Sequence, residues 1–550
     1  MAKPRPISVI DFETDPFDGT TDILPFVAGY YDGHTFKHFW SDECAYELAD
    51  FLAPRRELCY AHNGGKFDFY YLLPWANRDL ITVINGRISQ MSIGRCLFRD
   101  SYMLYPLALS NYRKDEIDYA KMKRDVRENH KDEIISYLKI DCESLYEVVT
   151  GFIEKFGRQT TMSMASMKQL KKTLPNDIVR LNKDQDANFR PFYFGGRCQA
   201  FKYGEFTDKY KIYDINSAYP RAMMEHHPNP CDPNFKMVSE IPKNTSVYFA
   251  EIEAVSRGCL PWRDESDHNK LKFPNDSLVR RYYATGYEIQ AGLDTHTLDI
   301  KRVISVYIPR STINFSEFIG EHWEARFKAK KEGDKLNEDY EKLIMNSSYG
   351  KWALNPNDYK SYRISDVGVD PNKTDESVKE CGYWILESSW PNFGIDVYSR
   401  PDPDDTGFYN VTVSASITGW VRAYLWRTIC QCSGVIYCDT DSITCKEFNG
   451  DIGNGLGQWK FEHTVGPCYI AGKKLYAFYY GQKKGKAIFD DVDDTGKYRW
   501  KIASKGVRLL PLHIAEIARD DSVVVWFSDS PTFSLKFGQR VLQRDVKQTR

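Results

Sequence analysis

Acidic residues recur at short intervals in the first third of the chain. Asp11 and Glu13 lie two residues apart in the apolar run VIDFE, so both side chains project from one face if this run is a strand. Asp68 follows in HNGGKFD, and Asp141 comes four residues after Tyr137 in YLKID, which places these two on one face of a helix. Each pattern alone is more often plain surface charge. Gathered together, the carboxylates predict a two-metal site that hydrolyses phosphodiesters, with the tyrosine orienting the attacking water.

A second acidic set lies further along the chain. Asp214 ends an apolar run in YDINSAYP, and Asp439 and Asp441 lie between two short β-rich runs in VIYCDTDSI. The latter pattern predicts a hairpin with acidic residues at its tip. Three carboxylates near strand ends suit two Mg²⁺ ions that bind a nucleoside triphosphate and a primer hydroxyl. An Asp-x-Asp pair also binds metal and nucleotide-sugar in many glycosyltransferases, so that class of enzyme stays open at this point.

A basic, polar segment with the sequence KLIMNSSYGKW lies between the motifs of the second acidic set. Lys342, Asn346 and Tyr349 fall at i, i+4 and i+7 and share one helical face. Lys330 precedes Lys342 by twelve residues and reaches that face only if the helix bends or breaks, for which Gly333 is the candidate. Such a face can hold a triphosphate and abut a base pair. A solvated amphipathic helix is the alternative, but it does not explain the polar run NSS.

These side chains need particular elements to position them. Short β-rich runs are predicted at 7–10, 26–31, 210–215 and 435–445. Apolar residues at helical spacing predict a helix over 131–155, and residues 315–354 predict two long helices broken near Gly333. The first part of the chain is therefore an α/β domain that ends near residue 165. Two stretches are interpreted as insertions: about 222–315, which is polar and contains prolines, and about 355–408, which contains the turn signals DPNK and RPDPDDTG.

Length and composition limit the number of domains and the class of protein. A chain of 550 residues predicts two to four domains. Its net charge of −2 is not that of a simple nucleic-acid coat protein, although a basic channel can coexist with acidic sites. The 13 cysteines are dispersed without a C-x-x-C pair, which argues against structural zinc and for reduced thiols. Since no apolar run is long enough to cross a bilayer, we expect a soluble intracellular protein.

The motifs, taken in order, resemble those of the family B DNA polymerases, and specifically the protein-primed branch of tectivirus-type bacteriophages. DFET, HNGGKFD and YLKID resemble three exonuclease motifs, although the second has the extra length Gly64-Gly65-Lys66. YFGGR resembles the linker motif between the two activities. DINSAYP, KLIMNSSYGK and YCDTDSI resemble the three polymerase motifs, and KLY resembles the motif that follows them. The likeness extends from residue 11 to residue 476.

This resemblance implies an α+β multidomain fold. An RNase H-like 3′→5′ exonuclease domain would be followed by a right-hand polymerase domain of palm, fingers and thumb with two insertions. The implied boundaries are 1–165 for the exonuclease, 166–221 for the linker and first palm segment, 222–315 for an insertion that contacts the priming protein, 316–354 for the fingers, 355–408 for an insertion that aids strand displacement and processivity, 409–465 for the palm and 466–550 for the thumb.

The resemblance also implies roles for single residues. The exonuclease metals would be ligated by Asp11, Glu13, Asp68 and Asp141, with Tyr137 placing the water. The DNA contacts would be Thr14, Asn63, Phe67 and Lys114 near the exonuclease, Tyr193, Gly195 and Gly196 in the linker, and Lys474 and Tyr476 at the primer terminus. The polymerase metals would be ligated by Asp214, Asp441 and the Ile215 carbonyl, with Asp439 assisting. The incoming dNTP would meet Lys330, Lys342, Asn346 and Tyr349, and Tyr219 would be the steric gate against ribose.

The implied cofactors and partners follow from the same likeness. We expect two Mg²⁺ ions at each site, with Mn²⁺ able to substitute, and a primer-template, dNTPs, a terminal protein as primer and a single-stranded DNA-binding protein as partners. Replication of a linear viral genome in the host cytoplasm is the expected setting, without a membrane. A primer-independent member of the same family, a metal-dependent glycosyltransferase that uses the DTD site, and a catalytically inert replication scaffold remain as alternatives.

Overall fold

The computed structural model consists of several small sheets joined through helices. The residues it describes are 3–16, 23–84, 86–113, 117–267, 269–355, 360–390, 394–401, 410–482, 486–493, 497–504, 509–520, 525–528, 532–534, 538–540 and 543–546. Within these ranges no helix is both long and apolar enough to span a bilayer.

The first part of the chain forms a mixed seven-stranded sheet. Its elements are β1 (Ile7–Thr14), β2 (Pro25–Tyr31), β3 (Phe36–Trp40), α1 (Cys44–Leu52), β4 (Leu58–Ala61), α2 (Asp68–Leu72), β5 (Thr82–Ile84), β6 (Arg87–Ile93), β7 (Cys96–Asp100) and α3 (Lys131–Phe156). The strand order is β3-β2-β1-β4-β7-β6-β5. Strands β1, β4 and β7 run parallel and the other neighbours are antiparallel, which is the order expected of an RNase H-like domain.

Helix α3 packs across β1 and β2 through one apolar stripe. Ile134, Leu138 and Leu145 in this stripe are fully buried or nearly so. The helix approaches closely because β2 carries Gly29, where a Cβ atom would lie 2.9 Å from the side chains of Leu138 and Cys142. Burial of each such leucine contributes about 1.5–3 kcal/mol. The predicted helix at 131–155 is confirmed, and its packing fixes Tyr137 and Asp141 against the sheet.

The next segment introduces the strand that ends in Asp214. Its elements are α4 (Met162–Lys172), α5 (Lys183–Phe189), β8 (Cys198–Ala200), β9 (Gly204–Phe206), β10 (Tyr210–Ile215) and α6 (Ala218–Met223). Strand β10 has the predicted bounds. The turn from β10 into α6 places Ser217 in the left-handed region, with φ 55°.

Residues 227–313 contain more regular structure than their polar, proline-containing sequence indicates. The elements are β11 (His227–Pro228), β12 (Phe235–Val238), β13 (Phe249–Arg257), β14 (Trp262–Asp264), β15 (Lys270–Lys272), β16 (Asn275–Thr285), α7 (Gly286–Asp294), β17 (Leu298–Pro309) and β18 (Thr312–Ile313). Four strands form an antiparallel sheet in the order β12-β17-β13-β16. The buried face of this sheet joins the large core that also contains α3.

Two helices form a hairpin after this sheet. They are α8 (Ser316–Glu332) and α9 (Lys335–Ser347), and the short α10 (Tyr349–Trp352) follows. The break lies at Gly333, which adopts φ 74°, so the predicted break is confirmed. The hairpin is antiparallel, because His322 pairs with Glu341 and Arg326 with Glu338.

The following segment packs against the first domain. It contains β19 (Lys360–Asp366), α11 (Val378–Cys381), β20 (Ile385–Trp390), β21 (Ile395–Pro401) and the long α12 (Val411–Gln431). The strands pair in the order β19-β21-β20. Ile364, Ile395 and Val397 are buried in the core of the seven-stranded sheet, and Arg78 pairs with Asp366 at 2.9 Å.

The last part completes the central sheet and adds a smaller one. Its elements are β22 (Tyr437–Asp439), β23 (Ser442–Cys445), β24 (Trp459–Val465), β25 (Cys468–Gly472), β26 (Leu475–Tyr479), β27 (Trp500–Ser504), α13 (Pro511–Arg519), β28 (Val525–Ser528), β29 (Thr532–Ser534), β30 (Gly538–Arg540) and β31 (Gln543–Val546). The central sheet has the order β24-β10-β23-β22-β8, and the smaller sheet has the order β27-β26-β25-β9.

Candidate active sites

Strand β1 and helix α3 bring three of the predicted exonuclease carboxylates together. Carboxylate oxygens of Asp11, Glu13 and Asp141 all lie within 4.8 Å of one another. Glu13 and Asp141 are buried, and Asp11 is half-buried. Carboxylates this close, removed from water, are stable as anions only with positive charge among them. The group therefore fits a divalent cation.

Asp68 lies beside this trio and is not one of its three members. It begins α2 and is 1 % exposed. One carboxylate oxygen, Oδ1, has no hydrogen-bond partner among the described residues. Burial and the negative charge of Asp11 hold the pKa of Asp68 well above its usual range. A buried carboxyl with an orphaned oxygen that faces another acid is also suited to a cation.

Tyr137 faces the same group from helix α3. Burial raises its pKa, as do a hydrogen bond with Tyr119 and the charges of Asp141 and Glu13. The hydroxyl therefore stays protonated and can donate to a water molecule or a phosphate oxygen. This arrangement agrees with the predicted position of Tyr137, although its role in placing the water remains a prediction.

Three of the residues predicted to hold a DNA 3′ end lie on the elements that carry the exonuclease carboxylates or directly before them. Thr14 is the last residue of β1, and Asn63 adopts a left-handed conformation with φ 61° ahead of a single helical turn at Gly64–Lys66. The turn accommodates the extra residues of the motif. A Cβ at Gly65 would lie 2.0 Å from the Ile88 carbonyl oxygen. Phe67 packs edge-on against Tyr71. Lys114 lies outside the described residues.

The polymerase carboxylates meet at the ends of β10 and of the β22–β23 hairpin. Asp214 pairs with Ser442 in the sheet, and the Ile215 amide donates to the Asp441 carbonyl oxygen at 2.8 Å. Burial and the charge of Asp441 raise the pKa of Asp214 to about 7. Burial, with the charge of Asp439, raises that of Asp441 to about 6. The two carboxylates thus share one low-dielectric site, which again fits a cation.

Asp439 differs from the other two because it has a counter-ion. Its Oδ1 lies 3.2 Å from the Lys474 ammonium. Lys474 also donates its backbone amide to the Tyr437 hydroxyl at 2.8 Å, and the Tyr476 ring packs on that of Tyr437. The KLY motif is therefore held against the acidic hairpin, and the assisting role of Asp439 stays a prediction.

A fourth acid, Glu462, reaches this site and was missed in the sequence. The charge of Glu462 contributes to the raised pKa of both Asp214 and Asp441. Strand β24 has a register shift opposite Ile212 and Tyr213, and Glu462 is the residue left without a partner there. Such a bulge redirects a side chain, and its position cannot be read from spacing. Lys501 on β27 pairs with Glu462 at 2.7 Å.

The rings of Tyr219 and Tyr349 stack on each other beside the linker motif YFGGR (193–197). Their ring centroids are 3.9 Å apart with an interplanar angle of 5°. A Cβ at Gly196 would lie 2.7 Å from Thr440 Cγ2 and 3.0 Å from the Tyr219 hydroxyl, so the linker backbone touches both the stack and the acidic hairpin. Only glycine permits this approach.

The linker is held by two arginines, of which Arg422 is buried and Arg263 is exposed. Arg422 on α12 donates to the Phe194 and Gly195 carbonyl oxygens and pairs with Glu288 at 2.7 Å. Arg263 donates to the Tyr193 carbonyl oxygen at 2.6 Å. Both arginines come from segments distant from the linker in the chain and were not predicted from the sequence.

The basic residues of the helical hairpin lie at different levels. Lys342 is exposed, and its charge is among those that lower the pKa of Asp214, so it lies near the polymerase site. Asn346 donates to the Lys342 carbonyl oxygen at 2.7 Å. In the antiparallel hairpin, Lys330 lies about 13 Å further along the axis, towards the tip. Arg326, which the sequence analysis missed, lies closer to the site, with Nη1 3.4 Å from Ser217 Oγ.

Comparisons with known proteins show the family to which the chain belongs. The family described as DNA polymerase type B, organellar and viral, matches residues 110–384. A DNA-directed DNA polymerase of Enterobacteria phage PRD1 is 38% identical over 520 residues, which are 94% of this chain and 88% of that protein. The DNA polymerase of Bacillus phage phi29 is 23% identical over 92% of each chain.

Solved structures show the same fold. Phi29 DNA polymerase complexed with primer-template DNA has a TM-score of 0.68 to this chain, with 18% identity over 98% of this chain and 99% of the other. Its complex with primer-template DNA and incoming nucleotides also gives a TM-score of 0.68, over 97% of this chain and 100% of the other. An exonuclease domain followed by palm, fingers and thumb is therefore the fold of the whole chain.

Proposed function

Because the chain belongs to the type B DNA polymerases of viruses and organelles, we propose that it copies a linear viral genome from a protein primer, displaces the strand ahead and proofreads its own product. The observation that carries this proposal is the presence of two separate clusters of acidic side chains. One lies between β1 and α3, and the other at the ends of β10 and the β22–β23 hairpin.

Each cluster of acidic side chains would hold divalent metal ions, which we propose are two Mg²⁺ ions per site. At the polymerase site the ligands would be Asp214, Asp441 and the Ile215 carbonyl oxygen. At the exonuclease site they would be Asp11, Glu13, Asp68 and Asp141. When bound, such ions lower the pKa of an attacking oxygen and stabilise the charge on a leaving oxygen.

The protein's own groups would position the substrates of synthesis. Lys342, with Lys330 when the hairpin tip moves inward, would bind the triphosphate, and Asn346 would support that helix face. Tyr349 would abut the nascent base pair. Tyr219 would fill the space that a ribose 2′-hydroxyl needs. Lys474 and Tyr476, held against the acidic hairpin, would steady the primer terminus, with Tyr193, Gly195 and Gly196 guiding the DNA between the two sites.

The exonuclease groups would act on a single-stranded 3′ end. Thr14, Asn63 and Phe67 would hold the terminal nucleotides, with Lys114 assisting. The protonated hydroxyl of Tyr137 would orient the attacking water. A glycosyltransferase that uses the DTD site would not need the buried acidic cluster between β1 and α3. The family assignment excludes that alternative.

The partners belong to the proposal as well. A terminal protein would provide the first hydroxyl, and the sheet β12-β17-β13-β16 within 222–315 would contact it. The segment 355–408 would close around the template, and a single-stranded DNA-binding protein would cover the displaced strand in the host cytoplasm. Extension of a labelled primer-template with dNTPs, beside a reaction without primer and one with the terminal protein, tests this directly. Product without any primer would favour the primer-independent alternative.

Replacement of Tyr219 by valine is expected to admit ribonucleotides. The ring lies flat on Tyr349 and against the linker, so its loss opens space at the sugar. We expect the preference for dNTP over rNTP to fall by about tenfold or more. Competing incorporation of dCTP and rCTP opposite guanine measures the ratio. Tyr219→Phe retains the ring and should keep the preference, and an unchanged ratio in Tyr219→Val would remove the gate assignment.

The metal requirement of synthesis is expected to depend on pH. Asp214 and Asp441 have raised pKa values of about 7 and about 6, so protons occupy the metal-free site as the pH falls through these values. Each proton must leave before metal binds. The Mg²⁺ concentration for half-maximal incorporation should therefore rise by about tenfold or more between about pH 8 and about pH 6. Equal midpoints at both pH values would contradict the shared low-dielectric site.

A further inference from the structure

Helix α9 has two functional faces. One face presents Lys342 to the polymerase site. The opposite face is buried against the exonuclease domain, where Asp339, Tyr340 and Glu341 are 4 %, 1 % and 2 % exposed. A helix that carries a substrate-binding lysine on one side is therefore supported on its other side by a different domain.

Two buried carboxylates of α9 form polar contacts across this boundary. The Tyr105 hydroxyl donates to Asp339 Oδ2 at 2.8 Å. The Lys155 ammonium, from α3, lies 2.5 Å from Glu341 Oε1 and also donates to Asn337 at 2.8 Å. Glu341 holds His322 of α8 with its second oxygen at 2.5 Å. One buried carboxylate thus joins both helices of the hairpin to the exonuclease domain.

The partners of Glu341 favour the ionised form of its carboxyl group. Burial opposes ionisation, yet hydrogen bonds from His322 and Lys155 hold the pKa of Glu341 below its usual range. Removal of a partner leaves a buried carboxylate uncompensated, so the carboxylate would seek solvent or another cation. Any such movement displaces the helix that carries it.

Apolar packing fixes the rotation of α9 between these polar contacts. The Tyr340 ring lies 6.0–6.1 Å from the rings of Tyr105, Phe152 and Phe156, and its hydroxyl donates to the Val148 carbonyl oxygen. Ser166 of α4 donates to the Ile344 carbonyl oxygen at 2.6 Å. Because Lys342 is within two residues of these contacts, its position depends on them.

We propose that Lys155 and Tyr105 of the exonuclease domain, through Glu341 and Asp339, are positioning residues of DNA synthesis that place Lys342 for the incoming triphosphate. The inference rests on the proposed role of Lys342 as a triphosphate ligand. It means that the exonuclease domain serves the polymerase reaction directly, in addition to its own hydrolysis.

The test uses the full chain carrying Lys155→Met together with Tyr105→Phe. We expect the KM for dNTP in single-nucleotide extension to rise about tenfold, because displacement of a binding group by a fraction of an ångström weakens the bound geometry. The kcat should change less than about twofold, as expected when ground-state binding is lost. Degradation of single-stranded DNA should stay at the parental rate.

Three comparisons make this result specific. Lys155→Arg keeps a cation beside Glu341 and should restore the parental KM. Lys139→Met lies on the same helix, where Lys139 is half exposed and pairs only with Glu143 among the described residues at 3.7 Å, so its KM should be unchanged. Combining Lys155→Met with Glu341→Gln should raise the KM by less than the product of the two single effects, because both act through one contact.

The outcomes separate the inference from the proposed function. If Lys342→Ala raises the KM while the double variant does not, the inference is overturned and the triphosphate role of Lys342 stands. If Lys342→Ala leaves the KM unchanged, the proposed triphosphate role itself fails. Loss of both activities in Lys155→Met without rescue by Lys155→Arg would mean that the contact is only structural, and would also overturn the inference.

Discussion

Replacement of Asp441 by alanine is expected to lower nucleotide incorporation by about a thousandfold or more, while degradation of single-stranded DNA persists. Asp441 shares a buried site with Asp214, and its loss leaves Asp214 with only the lysine-paired acids Asp439 and Glu462 where a divalent cation has to be held. A thousandfold loss corresponds to about 4 kcal/mol of transition-state stabilisation, which is in the range that metal-ion catalysis provides.

Primer extension and trimming of a labelled single strand, with the same preparation, measure the two activities. Asp439→Asn is the matched comparison, because Asp439 is already paired with Lys474 and should cost less activity. Loss of trimming in Asp441→Ala, with the thermal unfolding midpoint preserved, would contradict the existence of two independent sites.

The converse is expected of Asp11→Ala combined with Glu13→Ala. This variant removes two of the three carboxylates that lie within 4.8 Å of one another, so hydrolysis of the 3′ end should fall by about a thousandfold or more. Incorporation of correct nucleotides should remain near the parental rate. Mismatched primer ends should then be extended or left in place where the parent enzyme removes them.

Folding of this variant provides an internal check. The negative charge of Asp11 raises the pKa of Asp68, so the metal-free carboxylates repel one another. Their removal should leave the metal-free unfolding temperature equal or higher. Glu154→Ala, an exposed acid on α3, controls for loss of charge alone. Undiminished trimming in the double variant would place the hydrolytic site elsewhere.

Sequence patterns predicted which acidic side chains lie on the same face of an element, because strands and helices each have a fixed side-chain period. Alternation along β1 puts Asp11 and Glu13 on one side, and helical spacing in α3 puts Tyr137 with Asp141. The acidic tip of the β22–β23 hairpin follows from two short β-rich runs with polar residues between them. The prediction that these motifs meet in space rested on the family likeness and not on their spacing in the sequence.

Other features depend on contacts that no local pattern reveals. Glu462 reaches the polymerase site through a bulge in β24, and a shift of one residue decides which way its side chain points. Arg422 supports a linker more than two hundred residues earlier in the chain. The strands within 227–313 were not predicted because that sequence is polar and interrupted by prolines, while burial of the sheet depends on packing against α12 and α7.

Helix α3 has a practical consequence for anyone who wants this enzyme without its editing activity. Its first half carries Tyr137 and Asp141, and its second half shields Tyr340 and neutralises Glu341. Cutting away the amino-terminal domain would therefore strip the cover from an aromatic ring and leave a buried anion behind in the remaining half. An editing-deficient form has to be obtained by point replacement of acids, because a shortened chain would lose the ability to copy as well.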